Sequence, residues 1–401
     1  MTNKKNVPEI RFEGFSGEWV EKKLGEVAKR IIRKNKNNEP LPPLTISAQY
    51  GLISQQTFFD KQIASKDTTG YFLIKKGEFA YNKSYSHGYP WGTIKRLDKY
   101  NKGVLSTLYI VFKATNISSQ FLIAYYDSNC WYREVSKIAT EGARNHGLLN
   151  ISPLDFFDTK LYLSIEDSEQ AKIGSFLSNI DNLLTTSKQK TEKLKSLKKA
   201  LLQKMFPSEK QSTPDIRFEG FIDEWNKYRL GDVVNFINGR AYKQHELLDN
   251  GKYPVLRVGN FYTNEKWYYS DLELPEKNYA DNGDLLYTWS ASFGPHIWKG
   301  KKVIFHYHIW KVELSEKLKL NFTLQILEAD KSQLLNNTNG STMIHVTKAE
   351  MENKIISIPS IPEQTRIGQL FAKIDELIAM SEHKSQKIEE LKKALLQKMF
   401  V

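Results

Sequence analysis

Toward the end of each half of the chain, apolar residues recur at steps that alternate four and three. The first row is Ile173, Leu177, Ile180, Leu184, Leu194, Leu201 and Met205, with Ser187, Thr191 and Lys198 in the intervening places. The second is Ile367, Phe371, Ile374, Ile378, Ile388, Leu395 and Met399, with Ser381, Ser385 and Lys392 in the matching places. This is the seven-residue spacing of a helix that buries one stripe against another helix. A flanking line widens each stripe: Phe176, Leu183 and Leu197, then Leu370, Leu377 and Leu391. The rows predict long helices over 166–206 and 360–401, each a rod of roughly 55–60 Å at about 1.5 Å per residue. Ser360-Ile361-Pro362-Glu363 reads as a capping box with proline in the first turn, and Pro207 stops the first helix. Two such stripes in one chain can pair with each other as a coiled coil, its register pinned by the serine and threonine positions, the alternative being that each helix packs only on its own domain.

The halves also begin and end alike. "LKKALLQKMF" occurs at Leu197–Phe206 and at Leu391–Phe400, and "IRFEGFSGEW" at Ile10–Trp19 returns as "IRFEGFIDEW" at Ile216–Trp225. Leu24-Gly25-Glu26-Val27 returns as Leu230-Gly231-Asp232-Val233. A repeat of this size sets the architecture before any local feature does. Residues 207–215, polar and bounded by prolines, read as a linker. The predicted order is a globular unit over 1–165, a helix over 166–206, the linker, a second unit over 216–359, and a helix over 360–401.

Within the units, "YFLIKKGEFAY", "LSTLYIVF", "GKYPVLRVGNF" and "KKVIFHYHIWKVEL" read as strands. "SQFLIAYYDSNCWYREVSKIA" and "NFTLQILEADKSQLLNN" read as helices, so the fold class is α+β, two tandem mixed domains each followed by a long helix. One block survives in both: Gly77, Glu78, Tyr81, Ser84, Ser86 and Gly88 match Gly283, Asp284, Tyr287, Ser290, Ser292 and Gly294. Between these the residues diverge, with Lys83, Tyr85, His87 and Pro90 facing Trp289, Ala291, Phe293 and His296. A shared frame with divergent insertions fits two readers of different sequences, its glycines and hydroxyls approaching phosphates and its variable side chains reaching base edges. An ordinary hairpin, with Ser and Gly serving only the turn, is the plainer alternative.

Charge gives the anionic partner some substance. Lys and Arg number 58 against 46 Asp and Glu, a net +12, and nucleic acid is the commonest partner of such a chain. Lys95 and Arg96, and Lys299, Lys301 and Lys302, follow the shared block and are candidates to neutralise phosphates. Gln49 and Asn260 are candidates for adenine, and Arg257 for guanine or phosphate. Arg144, Asn145, Ser341 and Thr342, just before the long helices, complete the candidate contacts.

The only cysteine, Cys130, makes no disulfide within the chain and fits a reducing cytosol and a small core role. No apolar run approaches a membrane span, which predicts a cytoplasmic protein without membrane partners. Catalytic patterns fail on inspection. "GPHIWKGKK" has five residues between its glycines instead of four and Lys302 where a magnesium-binding hydroxyl belongs. His306 and His308 alternate on one predicted strand without joining carboxylates, so no metal is expected. Glu352-Asn353-Lys354 and Glu390-Leu391-Lys392 lack the Pro-Asp of a nuclease site, and no adenine-methylation tetrapeptide or cofactor-binding glycine loop is present. The chain reads as a recogniser. A self-contained nuclease or methyltransferase, or a coiled-coil scaffold without sequence-specific binding, are the rivals.

The order of unit, helix, unit, helix resembles the specificity subunit of type I restriction–modification systems. "PEIRFEGFSGEW…KLGEV" and "PDIRFEGFIDEW…RLGDV" look like that family's entries into its target-recognition domains, and "IPSIPEQTRIGQLFAKIDELI" like its entry into the conserved helix. The first copy is looser, since Ser168 replaces Pro362, while Glu169, Gln170, Ile173, Gly174 and Asp181 match Glu363, Gln364, Ile367, Gly368 and Asp375. The resemblance implies that each domain reads half of a split double-stranded DNA target. It also implies that the two helices pair as an antiparallel coiled coil with pseudo-two-fold symmetry, space the readers and dock two methyltransferase subunits, and that motor/endonuclease subunits join them. S-adenosylmethionine, ATP and Mg would then belong to those partners, with no cofactor in this chain.

Overall fold

The computed structural model describes the chain except residues 1–5, 48–49, 60–64, 66, 87, 142–146, 209–210, 263, 291 and 338–345. Four helices organise it: α1 (Ser119–Asp127), α2 (Asp167–Lys204), α3 (Leu320–Asn337) and α4 (Ile361–Lys398). The chain divides into two compact units, Met1–Lys188 with His383–Val401, and Gln189–Glu382. The division falls inside the long helices. The sequence pattern ends each half with its own helix, whereas the structure sends the last turns of α2 into unit 2 and those of α4 into unit 1.

In unit 1 an antiparallel sheet runs in the order Ala28–Arg30, Ile110–Ala114, Phe79–Asn82, Thr93–Arg96. Its Phe79, Tyr81 and Phe112 share a core with Trp19, Phe121 of α1, and Ile173, Leu177 and Ile180 of α2. Phe400 enters this core from just beyond α4, its ring 6.2 Å from Trp19 and 5.3 Å from Phe121. Cys130 is half-buried against the same core.

Unit 2 repeats the plan. Its first sheet runs Val234–Asn238, Ile309–Leu314, Leu285–Thr288, Gly294–Ile297, all antiparallel. A second sheet is mixed, with Tyr253–Leu256 parallel to Val303–Phe305. The core gathers Trp225, Tyr287, Phe322, Ile367 and Phe371, and Phe206 enters it 6.2 Å from Trp225 and 5.6 Å from Phe322. Each copy of the repeated decapeptide therefore ends in a phenylalanine that closes a tryptophan–phenylalanine cluster.

The other repeated residues are anchors. Arg11 clasps Glu169 with two bonds of 2.6 and 2.8 Å, and Arg217 clasps Glu363 at 2.7 and 2.8 Å. Both carboxylates are fully buried at the start of a long helix, where only a bidentate partner compensates their lost hydration. Gln170 accepts from Ser118 N and donates to Ser164 O; Gln364 accepts from Lys319 N and donates to Lys317 O and Pro359 O. A Cβ on Gly174 would lie 2.7 Å from Gln120, and one on Gly368 2.9 Å from Asn321. The long helices can lie against the starts of α1 and α3 only with glycine there.

Within each unit segments of α2 and α4 run antiparallel. In unit 1 Ser385 donates to Ser187 at 2.9 Å, Lys188 pairs with Glu389, and Lys392 reaches Asp181 at 2.6 Å. In unit 2 Thr191 donates to Ser381 at 2.8 Å, Lys195 pairs with Glu382 at 2.8 Å, and Lys198 with Asp375 at 2.6 Å. The apolar row is not uniformly buried. Ile173, Leu177, Ile180, Ile367, Phe371 and Ile374 are buried; Leu184, Leu194, Leu201, Ile378, Ile388 and Leu395 are only half-buried. Leu202 and Leu396 are buried beside Met205 and Met399 of the row, because the last turns face a domain core that covers a wider strip of the helix.

Three predicted strands divide, "LSTLYIVF" at a turn over 106–109 between Lys102–Leu105 and Ile110–Ala114. "YFLIKKGEFAY" breaks at Gly77, whose φ of 86° makes a turn between Phe72–Lys75 and Phe79–Asn82. "KKVIFHYHIWKVEL" breaks into Val303–Phe305 and Ile309–Leu314, so His306 and His308 flank a turn rather than alternating along a strand.

Candidate nucleic-acid interface

The first part of the shared block builds the frame. Gly77 and Gly283 turn with φ of 86° and 99°. Glu78 is buried, accepting from Lys75 N and from Arg33, both at 2.7 Å, while Asp284 pairs with Lys311 at 2.8 Å. Tyr81 and Tyr287 are fully buried. None of these approaches a ligand; they fix the strand from which the divergent loop departs.

In unit 1 that loop is tied down by its neighbours. Lys83 donates to Ile151 O at 3.1 Å, and its burial lowers its pKa, which makes it a brace. Ser84 and Ser86 are exposed, and Tyr85, 59% exposed, hangs from Gly147 O by its N–H at 2.9 Å. Lys95 and Arg96 depart from expectation. Lys95 is bound to Asp127 at 2.6 Å, and Arg96 to Asp98 at 2.7 Å and Ser119 at 2.9 Å. Burial works to raise the Asp127 pKa, yet Lys95 and Lys392 hold it below its ordinary value. That carboxylate stays ionised, so Lys95 is neutralised inside the domain rather than offered to phosphate. Gln49, His87, Arg144, Asn145, Ser341 and Thr342 lie outside the described residues.

In unit 2 the loop is organised by aromatic rings. Trp289 donates its indole N–H to Tyr307 O at 2.8 Å and stacks on Trp310 at 6.1 Å. Ser290 is half-buried; Ser292 is exposed, its carbonyl accepting from Thr288 at 2.7 Å and Tyr262 at 3.2 Å. His296 stacks on Phe261 at 4.1 Å, and burial, then Lys331, lowers its pKa to about 4. Three expectations change here. Phe293 points into the core and cannot reach a base edge. Asn260 spends its amide on the loop, accepting from Arg257 N at 3.1 Å and donating to Asn264 O and Lys266 O at 3.0 and 3.1 Å. Arg257 lies 4.3 Å over the Tyr268 ring and donates to Lys266 O, so both polar groups hold the loop in shape. Lys299 and Lys301 are exposed, and Lys302 pairs with Glu276 at 2.5 Å.

The structure thus brings Trp289, Ser292 and His296 together with Tyr262 and Tyr307, which the sequence reading left out, and with His306 and His308, which it weighed only as metal ligands. The signal was present in "FHYHIW", a run too aromatic for a turn that serves only the fold. Among the described residues no group of three potential ligands converges on a metal position, and no helix is long and apolar enough to cross a membrane.

Two tandem mixed units with duplicated anchors and divergent tips define a protein built to present two different surfaces from one frame. Residues 222–390, within the second unit and its helix, match the type I restriction modification DNA specificity domain. It is 28% identical over 182 residues to the type I restriction enzyme MjaVIII specificity subunit of Methanocaldococcus jannaschii, covering 44% of this chain and 42% of that protein. It is 25% identical over 177 residues to the EcoBI specificity subunit of Escherichia coli, covering 43% of this chain and 36% of that one. The matched stretches thus span less than half the length of either relative. A crystal structure of the S subunit from M. genitalium shares the fold with a TM-score of 0.61, at 14% identity over 98% of this chain and 99% of that chain. A chain from a type I R-M complex-assembly study matches with a TM-score of 0.56 at 17% identity, covering 95% of this chain and 97% of that one.

Proposed function

We propose that this chain is the sequence-reading subunit of a type I restriction–modification complex, each unit contacting one half of a split double-stranded DNA target. The observation that carries the reading is a duplicated frame whose loops differ: the exposed Tyr85 on one, the half-buried Trp289 and His296 on the other, beside serines common to both. Backbone anchors common to both units position, and side chains that differ between them specify. Lys299 and Lys301, exposed at the end of the 285–297 hairpin away from its loop, are the cations we assign to phosphate.

The antiparallel contacts of α2 and α4 inside each unit support a continuous coiled coil with a pseudo-two-fold. A rod of roughly 55–60 Å exceeds the about 34–36 Å between half-sites one helical turn apart, so it can act as the spacer. Equivalent anchors at both ends suit two copies of one partner, which we assign as methyltransferase subunits, with motor/endonuclease subunits joining them. S-adenosylmethionine, ATP and Mg then serve the partners' chemistry, and the complex works in the cytoplasm. The test is to co-express the chain with the methyltransferase subunit of its own system in a methylation-free host and sequence the DNA natively. Methyladenine at one split motif on both strands is expected. A soluble, assembled complex that methylates nothing would return the chain to the scaffold reading.

A further inference from the structure

Two tyrosines flank the divergent loop of unit 2, and neither belongs to the shared block. Tyr262 is 49% exposed and holds Ser292 O with its hydroxyl at 3.2 Å, its ring 5.8 Å from His296. Tyr307 is 40% exposed at the turn between two core strands, its ring 4.3 Å from His306 and 3.9 Å from His308. The turn is held from below, since Trp289 donates to Tyr307 O at 2.8 Å and Tyr307 N donates to Arg240 O at 3.1 Å. Of the nearby cations, Arg257 lies over Tyr268 and Lys311 pairs with Asp284, which leaves Lys331 beside His296. His296 and His306 are held neutral near pH 7 by burial. A rigid ridge of rings and hydroxyls with little free charge is poorly suited to neutralising phosphate. It is well suited to lying in a groove, where ring faces meet thymine methyls and hydroxyls meet base-edge donors and acceptors.

We propose that Tyr262 and Tyr307 are specificity-determining residues of the second recognition unit, contacting base edges on either side of the 288–296 loop. The inference rests on the DNA-reading function proposed above. Unit 1 offers a different tip: Tyr85 is exposed on its loop, and the turn equivalent to Tyr307 carries the exposed Leu108. The two half-sites are therefore read by different chemistry.

The test is native sequencing of methylated DNA from the full chain assembled with its methyltransferase subunit, comparing wild type, Tyr262→Ala, Tyr307→Ala, Tyr307→Phe and Tyr85→Ala. Co-purification of the methyltransferase subunit reports that each variant folds. Tyr262→Ala and Tyr307→Ala are expected to relax the same half-motif, with discrimination falling roughly tenfold at the affected base. Tyr85→Ala is expected to relax only the other half, and Tyr307→Phe to show whether hydroxyl or ring carries the reading. An unchanged motif, uniformly weaker methylation with the motif intact, or relaxation of different halves by Tyr262→Ala and Tyr307→Ala would overturn the inference while leaving the function standing. A wild-type complex without a split motif would overturn both.

Discussion

The two units share anchors but not tips. Tyr81 and Tyr287 are both fully buried, and Arg11 and Arg217 clasp equivalent glutamates with nearly identical geometry. One strand later the likeness ends. Unit 1 braces its loop with a lysine on a backbone carbonyl, while unit 2 braces its loop with an indole on the opposite turn. Repetition therefore marks what holds the fold, and divergence marks the loops to which the proposed function assigns the target. Glycines and acids common to both copies, which invite a functional reading, turn out to build hairpins.

The comparison breaks most visibly at the helix ends. Phe400→Ala is expected to cost about 3–5 kcal/mol, because it empties the space between Trp19 and Phe121. Amide exchange around Trp19 should rise while exchange around Trp225 holds. Phe206→Ala should do the reverse. Equal loosening of both clusters by either variant would mean that the decapeptides do not serve separate cores.

The glutamate clasps give the next effect. Arg11→Met leaves Glu169 buried and unpaired, and we expect a loss of about 3 kcal/mol in urea unfolding. Arg11→Met with Glu169→Leu should recover most of it, since removing both charges also removes the desolvation cost. Arg217→Met and its double variant should match within about 1 kcal/mol if the two anchors are equivalent.

Much of this was legible in the sequence, for identifiable reasons. Long helices announce themselves by periodicity, and a duplicated arginine or glutamine announces an anchor once its partner is known. The exchange of helix ends between units was not legible, because a heptad row is the same whichever core its last phenylalanine enters. The fates of Lys95 and Asn260 were hidden for a related reason. Asp127, Asn264 and Lys266 O come to them through tertiary structure or loop closure, and no spacing rule reveals that a cation or amide is already spent. Tyr307 was missed because "KKVIFHYHIWKVEL" reads as one strand, and only the break at His306 puts that ring on the surface.

The hydroxyl pairs give a smaller effect. Ser187→Ala removes one partner of a buried bond to Ser385, and about 1 kcal/mol is expected. Thr191→Val with Ser381→Ala should cost less than either single change, because no polar atom of that pair is then left unsatisfied. If both singles are neutral by thermal unfolding, the pairs do not pin the register.

The effect that separates the units by condition rather than mutation is acid. His296 and His306 titrate near 4 in the folded chain against an ordinary value of 6.5, burial being the first cause at each. Lys331 adds to it at His296, and His308 and Arg257 at His306. A depressed histidine leaves the unfolded chain binding more protons, so the stability it contributes is complete above about pH 6.5 and is lost as pH falls toward about 4. Unit 1 has no buried histidine among its described residues. Between pH 7 and pH 5, above the carboxylate range, exchange in unit 2 should therefore accelerate before exchange in unit 1, and His296→Gln should remove part of the difference. Simultaneous loosening would show that both imidazoles protonate without strain, and that the aromatic packing around the second tip is looser than its stacking distances indicate.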